Sequence, residues 1–413
     1  MTHVHVSGSS IRNEKGIALV AALLFLMVLT LLGTTAIMIS STDIKIGGNF
    51  KNSKTAFYDA EAGVQYVIKT MENGLAAGTL TLPTSTPVTV SYTVPSGFSF
   101  DSSVSLSKVS GLSEYTFQMT GHGGNNSEST IEVRLSRGSA FEYGIFGDDA
   151  IDMKNSGAAY SYDSRVDTTP TPAESTHEAD IGSNVLVRTY NGTTIDGDVA
   201  LGENASGVDG TYVETGSPGA TVTGTEGANV ERVNPDPLGA VGGDLATTFT
   251  TVSVSNDNAW GGLGGTTISL GNGDSLTLQG KTGGANYYIT SVVLDNHSTL
   301  NIDASAGPVN IYLTGGLEAK NGSNINVTGL PTDFTIYSNS TTSSLIFKHD
   351  SGFKGTVYAP YAPVEMKNGA DVCGLIWADT VDIKNSGTFY FDTAIKDKFA
   401  SDELDMVSWR EVR

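Results

Sequence analysis

The chain has 413 residues, 39% of them hydrophobic and only 16% charged, and its formal net charge is −21. So acidic a chain lacks the clustered Lys and Arg that phosphate binding needs, which excludes nucleic acid as a partner and argues against a soluble domain drawn to anionic headgroups. Its 49 glycines suit short strands joined by tight turns, and its single cysteine, Cys373, cannot form an internal disulfide. Stability must then come from burial and backbone pairing.

Residues 1–16 read as a short polar leader ending in Arg12-Asn-Glu-Lys15-Gly16, and from Ile17 to Thr42 there is no charged side chain. The stretch Ile17–Ile39 forms a helix of roughly 35 Å at ~1.5 Å per residue, enough to cross a hydrocarbon core of about 30 Å. An ordinary cleaved signal peptide, a signal anchor and a leader cut at Gly16 compete here. The apolar run is longer than a secretory core of about 7–15 residues, and no small-x-small site ends it.

Apolar residues at 50, 57, 60, 64, 67, 68 and 71 keep a helical period beyond the span, which predicts one buried stripe and a membrane-spanning assembly helix over 17–74, stopped at Asn73-Gly74. Gly33 and Gly47-Gly48 each weaken helix by about 1 kcal/mol relative to Ala, so bending is expected there. Long translocated domains override local charge counts, which puts the C-terminal bulk outside the cytoplasm.

The junction Lys15-Gly16-Ile17 resembles the site cut by prepilin peptidase. The stretch from Gly16 to Val64, with Gly48-Asn49-Phe50, Phe57 and Ala60-Glu61-Ala62-Gly63, resembles the N-terminal region of PilX-type minor pilins. The resemblance implies a mature chain beginning at Ile17. It further implies a chain held first as a single-pass inner-membrane protein and then bundled by its helix into an extracellular type IV pilus or a type II secretion pseudopilus. Prepilin peptidase, other pilins and the inner-membrane assembly machinery are the implied partners, with a tip adhesin as a further one. Major pilins of the family carry a glutamate at the fifth mature position, where this chain has Ala21. That departure implies a low-copy subunit at the tip or in assembly priming.

Residues 75–140 read as a small pilin-like β module, because Val88–Val94, Tyr115–Met119 and Ile131–Leu135 alternate apolar and polar residues. Beyond 141 a phrase repeats. Ile151-Asp-Met-Lys-Asn-Ser-Gly157 returns at Leu317, Val364 and Val381, and in relaxed form at Ile268, Val292 and Leu345. Starts from 268 lie 24, 25, 28, 19 and 17 residues apart, and a second phrase, Thr335-Ile-Tyr337, Thr356-Val-Tyr358 and Leu375-Ile-Trp377, runs in step. Such periodicity predicts a solenoid, here a parallel β-helix over 141–395. Positions one and three of the phrase would point inward and two and four outward. Asn155, Asn272, Asn296, Asn321, His349, Asn368 and Asn385 would sit at the corners, where Asn tolerates the left-handed conformation and can form hydrogen-bonded ladders. Residues 158–265 fit the repeat poorly and predict irregular coils or insertions on one side. Residues 396–413 predict a C-terminal cap. The fold class expected is α+β: a long helix, a small sheet and a β-solenoid.

No catalytic, cofactor or metal site is expected. The histidines at 3, 5, 122, 177, 297 and 349 lack metal spacing. Gly280-Lys-Thr lacks the first glycine of a phosphate loop, which is Ser275. Gly271–Leu276 and Asp196-Gly-Asp198 resemble calcium turns only as single imperfect copies. Cys373 reads as a small core residue. The alternative function is a surface adhesin or a polysaccharide-active β-helix enzyme, for which Asp371, Asp379, Asp382 and Asp392 are the available acids.

Overall fold

The computed structural model describes residues 14–77, 79–83, 86–109, 114–139 and 141–412. Of the expected leader, residues 1–13 lie outside the described residues. The chain divides into two compact units, one formed by residues up to Arg137 together with Asp402 onward, the other by Gly138–Ser401.

The first unit begins with helix α1, Glu14–Ala76. It starts earlier than Ile17 and runs unbroken through Gly33 and Gly47-Gly48; a helix keeps its backbone ladder through isolated glycines at a modest cost. Every residue from Gly16 to Lys51 is exposed, whereas Ala56, Ala60, Val64, Val67, Ile68 and Met71 are buried. Phe50, expected in that stripe, is 62% exposed. The stripe begins one and a half turns later, where the sheet begins to cover the helix.

That sheet has five strands: β1 (Val88–Ser91), β2 (Ser103–Lys108), β3 (Glu114–His122) and β4 (Glu128–Ser139), followed in spatial order by a C-terminal strand, Ala400–Val412. Neighbours from β1 to β4 are antiparallel. Their inward residues, among them Val104, Leu106, Phe117, Met119, Ile131, Val133 and Leu135, form one core with the buried helix face. Each large apolar side chain so buried contributes about 1.5–3 kcal/mol. The C-terminal strand adds Leu404 to this core, and its Leu404 amide donates to Glu72 Oε1 of α1 at 3.3 Å. The cap expected over 396–413 is therefore corrected: those residues include the end of a short helix, Ala394–Lys398, and then the fifth strand of the first unit's sheet. In sequence, the whole second unit is inserted between two neighbouring strands.

The second unit is one 23-stranded sheet in which strands pair in parallel with strands about one repeat away. One ladder runs through Ile268, Val292, Leu317, Leu345, Val364, Val381, Ile151 and Val187 in direct register. These are the first positions of the repeated phrase, with Val187 added. A second ladder joins Leu276, Leu300, Ile325, Phe353, Val372, Phe389, Ala159 and Ile195. A third joins Tyr287, Ile311, Ile336, Val357, Ile376, Ile145 and Ile181. All but Leu276 are buried, and they feed a single core.

Two features depart from the expected layout. Residues 158–229 are not outside the ladders, because strands from Ala158 to Asn229 extend them. The first ladder also places residues 150–154 beyond 380–384, so the unit's first strand pairs with one near its end, Asp371–Lys384. The chain then returns to Thr267 through a segment containing helix α2, Asp244–Val254. Phe249 of α2 meets Tyr312 edge-on at 5.2 Å, and Tyr312 stacks on Tyr337 at 5.3 Å. Further along, the Trp377 indole N–H donates to Pro235 O at 2.8 Å, and the hydroxyls of Tyr358 and Tyr361 both donate to Asp236. The segment read as irregular thus covers the aromatic outer side of the third ladder.

The tightest approach in the first unit is at Gly121, where an added Cβ would collide with the Ala56 carbonyl oxygen and the Ala60 nitrogen. Neither backbone atom can move without shifting α1. Gly121→Ala is expected to cost about 1–3 kcal/mol through overpacking, read as a lower urea midpoint for the first unit, whereas Gly264→Ala, with open space around it, leaves the midpoint unchanged.

Candidate functional site

Among the described residues one helix is long and apolar enough to cross a membrane, α1. Hydroxyls are the main polar groups in its exposed half, and they are satisfied internally. Thr30, Thr34, Thr35 and Thr42 donate to carbonyls three or four residues earlier at 2.8–3.0 Å. With these four hydroxyls turned back onto the helix, the surface from Ile17 to Ile39 is left largely hydrocarbon. Lys15, Gly16 and Ile17 lie at its start, and Ala21 sits on its exposed apolar surface.

The second half of α1 carries the Ala60–Gly63 motif. Ala60 is fully buried against Gly121, and a Cβ at Gly63 would come within 2.8 Å of Met119 Sδ and 2.9 Å of Phe100. Small residues here let the helix lie directly on β3. Glu61 faces outward, Ala62 is half-buried, and Phe57 meets Trp409 of the C-terminal strand at 6.1 Å. Gly48 and Asn49 lie on the exposed side. Trp409 had no local signal, because its partner strand lies more than 250 residues away in sequence.

On the second unit the corner residues form a rung-by-rung ladder. Asn155 donates its amide to Asn385 at 2.8 Å, Asn385 to Asn368 at 2.7 Å, and Asn368 to His349 Nε2 at 3.0 Å. These four have φ between 45° and 57°, in the left-handed region. At Asn272, Asn296 and Asn321 it is the following residue, Gly273, His297 or Gly322, that turns left-handed. The corner is thus made in two ways, and only the first aligns the amides. Beside it, outward residues pair along each strand: Lys154 with Asp152 at 2.9 Å, Lys384 with Asp382, and Lys367 with Glu365. Lys348 reaches across strands to Glu318 at 2.6 Å, and Lys320 to Asp295 at 2.7 Å.

Of the acids considered for chemistry, Asp371 and Asp392 lie close enough to Cys373 for their charges to act on its thiol, both raising it. No group of three or more His, Cys, Asp or Glu side chains able to hold a metal ion occurs among the described residues. Burial pushes the Cys373 thiol up to about 12, so it is no thiolate nucleophile at neutral pH. Asp392 is wholly buried, its Oδ1 accepting the amides of Ser164 and Ala394 at 3.0 and 3.2 Å. Burial raises its carboxyl above the ordinary range, and the Ser164 and Ala394 bonds oppose that shift. Burial likewise raises Asp371 and Asp379, the latter with help from Asp149 and Asp148.

Against known proteins, a family model described as PilX N-terminal matches residues 15–65, and one described as a domain of unknown function (DUF7305) matches residues 272–398. No curated protein matches the chain. Among solved structures, the DUF3494 domain of ice-binding protein 1 from Shewanella frigidimarina is 14% identical, over 62% of this chain and 99% of its own, with a TM-score of 0.32. The competence-associated pilin ComZ from Thermus thermophilus is 11% identical, over 87% and 97%, also at 0.32. The ice-binding protein LeIBP from an Arctic yeast is 16% identical, over 62% and 93%, at 0.31. Likenesses this loose carry no argument. The N-terminal region is pilin-like on the family match and on its own long, half-exposed helix.

Replacing Asn385 removes two amide bonds at a left-handed position. Asn385→Ala is expected to cost about 2–3 kcal/mol, and Asn385→Gly, which keeps the backbone relaxed, only about 1 kcal/mol, both read from urea denaturation. Asp392 supplies a pH test. Its native carboxyl binds a proton more tightly than the unfolded one, so its contribution is lost as pH rises from about 4 through the raised native value. Asp392→Asn is expected to flatten that fall in unfolding free energy; an unchanged slope would assign it to other groups.

Proposed function

We propose that this chain is a minor pilin or pseudopilin of a type IV pilus or related secretion system, a low-copy subunit at the tip or in assembly priming. The single observation that carries the reading is the division of α1. From Gly16 to Thr42 it is wholly exposed and uncharged, and one face of its second half is buried under the sheet from Ala56 onward. A helix so divided suits a chain held in the inner membrane and later drawn into a bundle of similar helices on the filament. Ala21, in place of an acid, supports low copy number, since such a helix lacks a carboxylate to meet a neighbour's N-terminal amine. Prepilin peptidase, other pilins and the assembly machinery are its partners, and the second unit remains outside the cytoplasm as a bulky head.

The head winds as a parallel β-helix in this reading. Parallel pairing at intervals of about one repeat, in three successive registers, supports it. The head binds or braces and performs no catalysis. Asp392 is buried and Asp382 is tied to Lys384, and the remaining two face different acids, Asp371 meeting Asp350 and Asp379 meeting Asp148 and Asp149. Adhesion by the head to a surface glycan or a tip adhesin is compatible with the pilin role.

Processing is the direct test. N-terminal sequencing of the protein from its native membrane should begin at Ile17, and Gly16→Val should leave the leader attached and block assembly. A native chain that retains Met1, or one cut beyond the apolar stretch, would overturn the reading.

A further inference from the structure

The C-terminal strand ends its sheet: β4 lies on one side and, among the described residues, no strand lies on the other. It is 13 residues long, whereas the opposite edge, β1, has four. Water-exposed edge strands are normally kept short or guarded by charged side chains, Lys above all, or by Pro, because their open N–H and C=O groups invite another strand. This one has neither Lys nor Pro between Ala400 and Val412, and two of its charged side chains, Arg410 and Glu411, are tied back to Glu132 and Ser129 of β4. Met406, Val407, Trp409 and Val412 along it are 36–51% exposed.

The edge also adjoins the helix. Met406 and Trp409 line a groove of about 50 Å³ with Ile131 and with Glu61, Val64 and Gln65 of α1. Phe50 and Tyr58, at 62% and 58% exposure, extend the apolar surface from there toward the bare half of α1. The open edge is therefore continuous with the pilin-like helix.

We propose that this edge docks an edge strand of a neighbouring pilin-type subunit anchored in the same membrane, running parallel to the C-terminal strand. This rests on the pilin reading and adds to it a second, backbone-mediated contact. Direction selects the partner. Asn52 lies against Gly123, Ala60 against Gly121 and Gly63 against Met119, so β3 runs opposite to α1. The C-terminal strand does too, with Trp409 at Phe57 and Leu404 at Glu72. A second copy paired antiparallel about a two-fold axis would turn its own α1 end for end, and one bilayer cannot accept both. A neighbour whose helix points the same way brings a parallel strand. In a module built like this one the far edge, β1, already runs in that direction, since β1 and β3 are both antiparallel to β2.

The test places a photoreactive benzoylphenylalanine at Val412 in the full-length chain, in its native membrane, and identifies the cross-linked peptide by mass spectrometry. The expected product joins Val412 to a strand of a different chain that has its own N-terminal apolar helix. Val407→Lys should lower its yield about tenfold, equivalent to ~1.4 kcal/mol, whereas Val241→Lys, at an exposed site on the second unit, leaves it unchanged. The proposal is overturned by correctly processed protein that gives no interchain product, by a product with the C-terminal strand of a second copy, by a product with a chain lacking an anchor, or by a yield insensitive to Val407→Lys. Protein whose N-terminus shows no cleavage after Gly16 overturns the pilin reading itself, and the two failures are told apart by that sequence.

Discussion

A backbone amide or carbonyl removed from water must find a partner, and the two units meet that constraint in opposite ways. Helix α1 pairs its backbone within itself and its threonine hydroxyls with its own carbonyls, so it can stand bare in hydrocarbon. The strands of the second unit have no such internal pairing. They borrow their partners from strands about one repeat away in sequence, which is why apolar residues must recur in register from Ile268 to Val187.

That requirement decides what the sequence could reveal. The first ladder was legible because its phrase couples two inward apolar residues to a turn amide, and slipping by one residue would turn the apolar set outward. The strand at 186–190 stayed hidden for a small chemical reason: Thr189, wholly buried, stands where Met153 stands in the strand beside it. Helix α2 is rich in β-branched Thr and Val, poor intrinsic helix formers, and its burial of Phe249 and Val252 against Tyr312 is a tertiary effect.

The C-terminal strand was illegible for a different reason. Apolar residues at 404, 406, 407 and 409 fit neither a clean strand nor a clean helix period, and the strand beside which they lie is separated from them by the entire second unit. The helix was readable in its existence and its buried motif, but not where burial begins, since Phe50 is as apolar as Val64 and only the reach of the sheet distinguishes them. The corner amides were legible as residues, and their split between two turn geometries was not, because Gly or His after the Asn can take the left-handed position instead.

Ile145, the first residue of the second unit's opening strand, is flanked by Ile376 and Ile181. A polypeptide is made amino end first, so this strand exists with one flank bare, more than 200 residues ahead of its match. The strands from Ile145 to Tyr162 must wait half-paired through most of synthesis, until Asp371–Asp392 arrive. Completion of the sheet is thereby timed to the last residues of the unit.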